Sequence, residues 1–328
     1  MIRKVFNCIL FCLLFLLLPL SAQDKIQEVA LAYLHDEAMS PDDYLVAKFR
    51  KADIVLLAED HGVKENLDFV CNLIPKLYEN NIVLGMEFGA YEDQRRLDSL
   101  INAPKYDEQV ARELMFNYNI FSNRPSGITE YMEIYRAAWK WNRSLPKDAR
   151  KFRILNISYH YNWQKFSGVR TPENMHEVFP LGNTEDFRCG LLEREVLASG
   201  QKILVLTGTP HAFTFYHFPY YDYTSPGYVR YEQNFLGNLL YSKYGSKVVA
   251  IALHQPFPNR LNRQPALLSP ALGRLEAIMG RMDNKPIGFD LKGTPLGKLD
   301  DDSYYSMGYN DFTLADLFLC MGDDSTAD

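Results

Sequence analysis

Ile54-Val55-Leu56-Leu57-Ala58-Glu59-Asp60-His61 reads as a β-strand that is apolar throughout and ends in ionisable side chains. A continuous run of this kind suits a strand buried on both faces of a parallel sheet. Downstream, Leu67, Val70, Ile74 and Leu77 recur at helical spacing, and Ile82-Val83-Leu84-Gly85-Met86 repeats the apolar strand. Strand, crossover helix and second strand form one parallel unit. Further runs at 153–157, 202–206 and 248–253 extend it, with amphipathic stretches at 91–101, 107–116, 128–141, 185–198 and 228–244 between them. The expected fold is α/β: a largely parallel central sheet flanked by helices, with a helical excursion after the second strand capping one end of the sheet. Residues 287–290 could add a late edge strand.

Ligands of parallel sheets gather at the carboxyl ends of the strands, so the residues just past each run carry the functional signal. The first strand delivers Glu59 and His61, the second Glu87, the third Ser158-Tyr159-His160, the fourth Thr207-Gly208-Thr209-Pro210-His211 and the fifth His254. Glu59 and His61 are two apart on extended chain and point to the same side. Glu59, His61, Glu87 and His211 therefore form the candidate catalytic set. A carboxylate with imidazoles can hold a divalent metal, or can serve as an acid and base pair that activates water without one. His160 and His254 share the rim by position and are candidate substrate contacts. The aromatic segment 213–223 follows His211 directly, where Tyr216 and His217 are residue types that bind planar ligands or ligate haem iron.

The N-terminus begins with Arg3-Lys4, continues as an uncharged apolar run from Val5 to Leu20, and reaches Ser21-Ala22 before a polar stretch. This is the pattern of a signal peptide over residues 1–22, exporting residues 23–328 as one domain to the periplasm or beyond. Membrane contact is then expected only through that segment before cleavage. Its loss removes Cys8 and Cys12 and takes the formal charge from −6 to −8. Without a basic block, nucleic acid is excluded as a partner, and a small-molecule or peptide substrate is expected. Cys71, Cys189 and Cys320 are too few and too scattered for a disulfide scaffold. The chain also lacks a Gly-x-Ser-x-Gly elbow, a His-Glu-x-x-His helix, a phosphate loop and a dinucleotide fingerprint. The sequons at Asn142 and Asn156 carry little weight, the second falling in a predicted buried strand.

These residues resemble the superfamily of erythromycin esterases, ChaN-type haem-binding lipoproteins and Tiki-type metalloproteases. Its pattern is a strand ending in Gly-Glu followed by His, a second strand ending in Glu, and a later Gly-x-x-His. Here Val55-Leu56-Leu57-Ala58-Glu59-Asp60-His61, Leu84-Gly85-Met86-Glu87 and Gly208-Thr209-Pro210-His211 look like the three parts. Gln94 and Leu97-Asp98 look like the stretch that follows the second-strand Glu in the ChaN-like branch. The resemblance implies a core over about residues 50–255 with a C-terminal extension at 256–328. It implies hydrolysis of an ester or peptide bond at Glu59, His61, Glu87 and His211, with a divalent metal as a possible cofactor, or alternatively non-catalytic haem binding. Ala58 stands where the family has glycine, and its methyl would crowd a close backbone approach.

Overall fold

Strand β1 (Ile54–Glu59) is buried along its whole length and pairs in parallel with two neighbours. The computed structural model describes residues 22–61, 63–117, 128–165, 172–217, 219–222, 229–232, 234–255, 257–258, 267–301 and 312–313. Residues 1–21, within the segment expected to be a signal peptide, and Cys320 lie outside these residues. Two helices, α1 (Ala22–Glu37) and α2 (Pro41–Lys48), precede β1. After it come α3 (Lys64–Glu79), β2 (Ile82–Ala90), α4 (Gln94–Asn102), α5 (Glu108–Asn117), α6 (Ile128–Ser144) and β3 (Ile154–Ser158). The chain continues through α7 (Pro172–Val178), α8 (Thr184–Glu195), β4 (Lys202–Gly208) and the single turn α9 (Thr209–Ala212). A hairpin of β5 (Pro219–Asp222) and β6 (Val229–Glu232) leads to α10 (Leu236–Tyr244), β7 (Val248–Ala252) and α11 (Arg274–Gly280).

The central sheet has the order β3-β2-β4-β1-β7, with every pairing parallel, in keeping with the α/β fold expected from the sequence. Side chains alternate between its faces. Val55 and Leu57 of β1, Leu84 and Met86 of β2, and Leu204 and Leu206 of β4 pack against α3, α4, α5 and α6. Ile54, Leu56 and Ala58, Val83, Ile203 and Val205 pack on the other face against α8 and α10. Both layers exclude water, which explains why the strands read as unbroken apolar runs.

Three expectations are corrected. The excursion α4–α6 covers one face of the sheet instead of capping its end, because Tyr131, Ile134, Tyr135 and Ala138 of α6 carry a stripe that packs into the same core as α3. The helix expected over 228–244 begins only at Leu236, since Val229-Arg230-Tyr231-Glu232, where a β-branched and an aromatic residue alternate with charged ones, pairs with β5. Residues 287–290 do not join the sheet; Gly288 makes an isolated antiparallel bridge with Met39, while the Asp290 carboxylate takes Tyr44 Oη at 2.8 Å. Ala38, Ile287 and Phe289 beside this bridge pack on a third apolar cluster, in which Ala30, Leu31 and Leu34 of α1 meet Leu275, Ile278, Leu291, Leu296 and Leu299 of the C-terminal extension. Among the described residues no helix is long and apolar enough to cross a membrane. Asn142 and Asn156 are both buried and hydrogen-bonded to backbone, so neither sequon is open to glycan attachment in the folded chain.

Candidate functional site

Strand β4 sits between β1 and β2, and this insertion builds the site. Glu59 ends β1 level with Gly208 of β4, and Met86 of β2 pairs with Leu206, so Glu87 arrives beside Thr207. Glu59 and Gly208 thus end their strands, whereas Glu87, expected at the end of its strand, lies where the β2–β4 pairing stops while β2 itself runs on to Ala90. Alternation then separates the two carboxylates: Glu59 follows Val55 and Leu57 toward the α3–α6 face, whereas Glu87 follows Val83 toward the α8–α10 face.

On the first face, Glu59 Oε1 accepts from His61 Nδ1 at 2.6 Å and from Tyr131 Oη at 2.5 Å. Phe88 packs edge-to-face with His61, centroids 4.7 Å apart, and tilted against Tyr131 at 4.4 Å. The Glu59 side chain is wholly buried and that of His61 is 37 % exposed. Burial disfavours the charged imidazole, but the hydrogen bond and charge of Glu59, reinforced by Glu87 and Asp60, outweigh it and hold His61 above its usual value.

On the second face, Glu87 is saturated. Its Oε2 accepts from Thr207 Oγ1 at 2.7 Å and the Gly208 amide at 2.8 Å, and its Oε1 from Arg188 Nη2 at 3.0 Å. His211 Nε2 stands 3.3 Å from the same Oε1, and His211 Nδ1 lies 3.0 Å from Glu185 Oε2. Burial by itself would raise both carboxyls; the charges of His211 and Arg188, joined at Glu87 by His61 and the Thr207 hydroxyl, overcome it and hold both below the usual carboxylate range. The two half-sites meet over Gly208. A methyl built on that glycine would lie 2.7 Å from His61 Cε1 and 3.6 Å from His211 Cδ2.

The structure therefore brings together Glu59, His61, Glu87 and His211. His160 is held apart by an Asp93 carboxylate at 2.9 Å, and His254 by Glu276 at 3.1 Å. Tyr216 is buried against Phe213 in the third cluster, while its neighbour His217 is exposed, so the two do not form a pair. Ala58 packs its methyl into the α8–α10 core, away from the rim. Sequence reasoning missed Glu185, Arg188 and Tyr131. A signal for the first two was present: Glu185, Arg188, Cys189 and Leu192 share one helical face at i, i+3, i+4 and i+7, which puts two charges at core positions. Tyr131 gave none, as a buried tyrosine on an amphipathic helix is ordinary core.

A divalent metal does not fit this arrangement. Both Glu87 oxygens are engaged, His211 meets a carboxylate at each of its ring nitrogens, and the Arg188 guanidinium already supplies the cation between Glu87 and Glu185. Among the described residues no three His, Cys, Asp or Glu side chains are placed to hold a metal ion. Glu59 Oε2 is buried without a hydrogen-bond partner, and one orphaned oxygen does not make a metal site.

No family model matches the sequence, and neither does any curated protein. Solved structures similar to the chain include members of the superfamily that its motifs resemble. One is ChaN of Campylobacter jejuni, described as binding haem cofacially, at 15 % identity and a TM-score of 0.37 over 66 % of this chain and 87 % of that one. Another is the erythromycin esterase EreC, at 13 % identity and a TM-score of 0.46 over 69 % and 78 %. The type III effector HopBA1 follows at 16 % identity and 0.38 over 54 % and 75 %. These are likenesses of overall strand and helix arrangement.

Proposed function

We propose that the chain is an exported hydrolase of ester or peptide bonds in a small-molecule or peptide substrate, working without a resident metal. The observation that supports this is the meeting of two carboxylate-bound imidazoles, one from each face of the sheet, over Gly208. His61, with its partly exposed ring oriented by Glu59, takes a proton from water as the water oxygen bonds to the substrate carbonyl carbon. The bond to the leaving oxygen or nitrogen then breaks as that atom takes a proton from His211 Nε2, after which His211 is reprotonated from solvent and His61 returns its proton to solvent. Tyr131 and Phe88 hold the base in register from below.

The test is turnover of a panel of carboxylic esters and short peptides by residues 23–328, measured with and without chelator. His61→Asn and Glu87→Gln should each lower kcat/KM by about 10²- to 10⁴-fold. Wild-type rates in either variant, or activity that vanishes with chelator and returns with a divalent ion, would sink the proposal. Haem binding is the competing outcome: with Tyr216 in the core it would rest on His217, and a hemin titration giving a Soret shift that His217→Ala removes would favour the carrier.

A further inference from the structure

Helix α8 carries two charges where its apolar face should be. Glu185 is 4 % exposed and Arg188 1 %. Burying ions costs several kcal/mol each unless they are fully paired, so a helix that only had to pack would place apolar residues there. Their contacts show what they serve. Arg188 donates from Nη2 to Glu87 Oε1 at 3.0 Å, from Nη1 to Glu185 Oε1 at 2.9 Å, and from Nε and Nη2 to Ser158 Oγ at 3.1 and 3.0 Å. Ser158 in turn donates to the Glu87 carbonyl at 2.8 Å. Glu185 Oε2 accepts from the Leu236 amide at 2.9 Å and lies 3.0 Å from His211 Nδ1. The 3.3 Å approach of His211 Nε2 to Glu87 Oε1 closes the circuit. Four side chains from β2, α8 and α9 form a ring pinned at either end by backbone amides, those of Gly208 and Leu236.

We infer that Glu185 and Arg188 are positioning residues for the hydrolytic site, an inference that rests on the hydrolase reading given above. Glu185 accepts the Nδ1 proton of His211 and so fixes the ring's tautomer and tilt, with Nε2 turned to the rim. Arg188 holds Glu87 and Glu185 on either side of that ring. Its planar fork reaches both carboxylates and Ser158 at once, which a lysine ammonium cannot do. Arg188 Nη1 also lies 3.2 Å from His211 Nδ1; with the Nδ1 proton directed to Glu185, that approach is a packing contact rather than a hydrogen bond.

The probes are a nitrophenyl ester, whose leaving group needs no proton, and an alkyl ester of the same acid. Glu185→Gln keeps side-chain volume and an oxygen for the Leu236 amide while removing the carboxylate from Nδ1. It should lower kcat on the alkyl ester by about 10²- to 10⁴-fold, with a smaller loss on the nitrophenyl ester, KM within about twofold, and partial recovery in Glu185→Asp. Arg188→Lys should move kcat in the same direction. Wild-type kcat in both variants overturns the inference, and so does an equal loss on both esters that matches a reduced folded fraction. A second readout needs no turnover: a His211 Nδ1 proton resonance, assigned by its absence in His211→Asn, is expected in the NMR spectrum of the wild type and should disappear in Glu185→Gln. If the wild type cleaves neither ester, the hydrolase reading fails, and this resonance still decides the positioning: its loss supports Glu185 as the orienting group and its persistence overturns it.

Discussion

Gly208 has no room for a side chain. Its added methyl would press on the His61 ring, which is partly exposed and can swing outward, so the cost falls on geometry more than on stability. Gly208→Ala should lower kcat/KM by about 10²-fold while changing stability by about 1 kcal/mol, as read from steady-state kinetics and thermal melting. His61 itself sets a pH dependence. Its folded value is raised, so the neutral base appears only above the ordinary imidazole value of about 6.5, and kcat/KM should climb with pH through an inflection above that point. Glu59→Gln removes the largest raising contribution and should move the inflection down; an inflection that stays in place would separate Glu59 from the base.

At the scale of elements, α8 and the C-terminal extension stabilise the fold in different ways, the first through buried ion pairs and the second through apolar packing. Asn183 caps α8, its Oδ1 accepting from the Glu185 amide at 2.8 Å, and so anchors the turn that presents Glu185 and Arg188. Arg188→Met should destabilise the fold by about 3–5 kcal/mol in chemical denaturation, because Glu87 and Glu185 are left as buried charges without their cation. In the extension, Ile278 is fully packed against α1, and Ile278→Ala should cost about 2–5 kcal/mol. The cluster it belongs to also holds Phe213 and Tyr216, two and five residues beyond His211. Helix α3 was legible because its stripe of Leu67, Val70, Ile74 and Leu77 faces a single core. The 228–235 stretch was not, since Tyr228, Tyr231 and Phe235 keep helical spacing at i, i+3 and i+7 whether or not β6 pairs with β5.

For the whole molecule, opposing titrations bound the stable range. Glu87 and Glu185 have lowered folded values, so their stabilisation is complete above the unfolded value of about 4.5 and is lost as pH falls through the folded values. His61 acts in the opposite sense: its stabilisation is complete below the unfolded value of about 6.5 and is lost as pH rises through the raised folded value. The melting temperature should therefore peak between about pH 5 and 6.5, and Glu87→Gln should flatten the acid side of the curve. A profile unchanged in that variant would show that Glu87 is not the carboxylate responsible. Sequence alone determined the five parallel strands, the α3 crossover and the rim on which Glu59, His61, Glu87 and His211 stand, because continuous apolar runs and helical stripes are local patterns with one stable burial. It could not order the strands. Only the tertiary structure decided that β4 lies between β1 and β2, which sets the two carboxylates on either side of β4 and on opposite faces of the sheet. It likewise decided that Arg188, Glu185 and Tyr131 reach them, since the partner of a buried charge depends on which elements pack together and not on its neighbours in the chain.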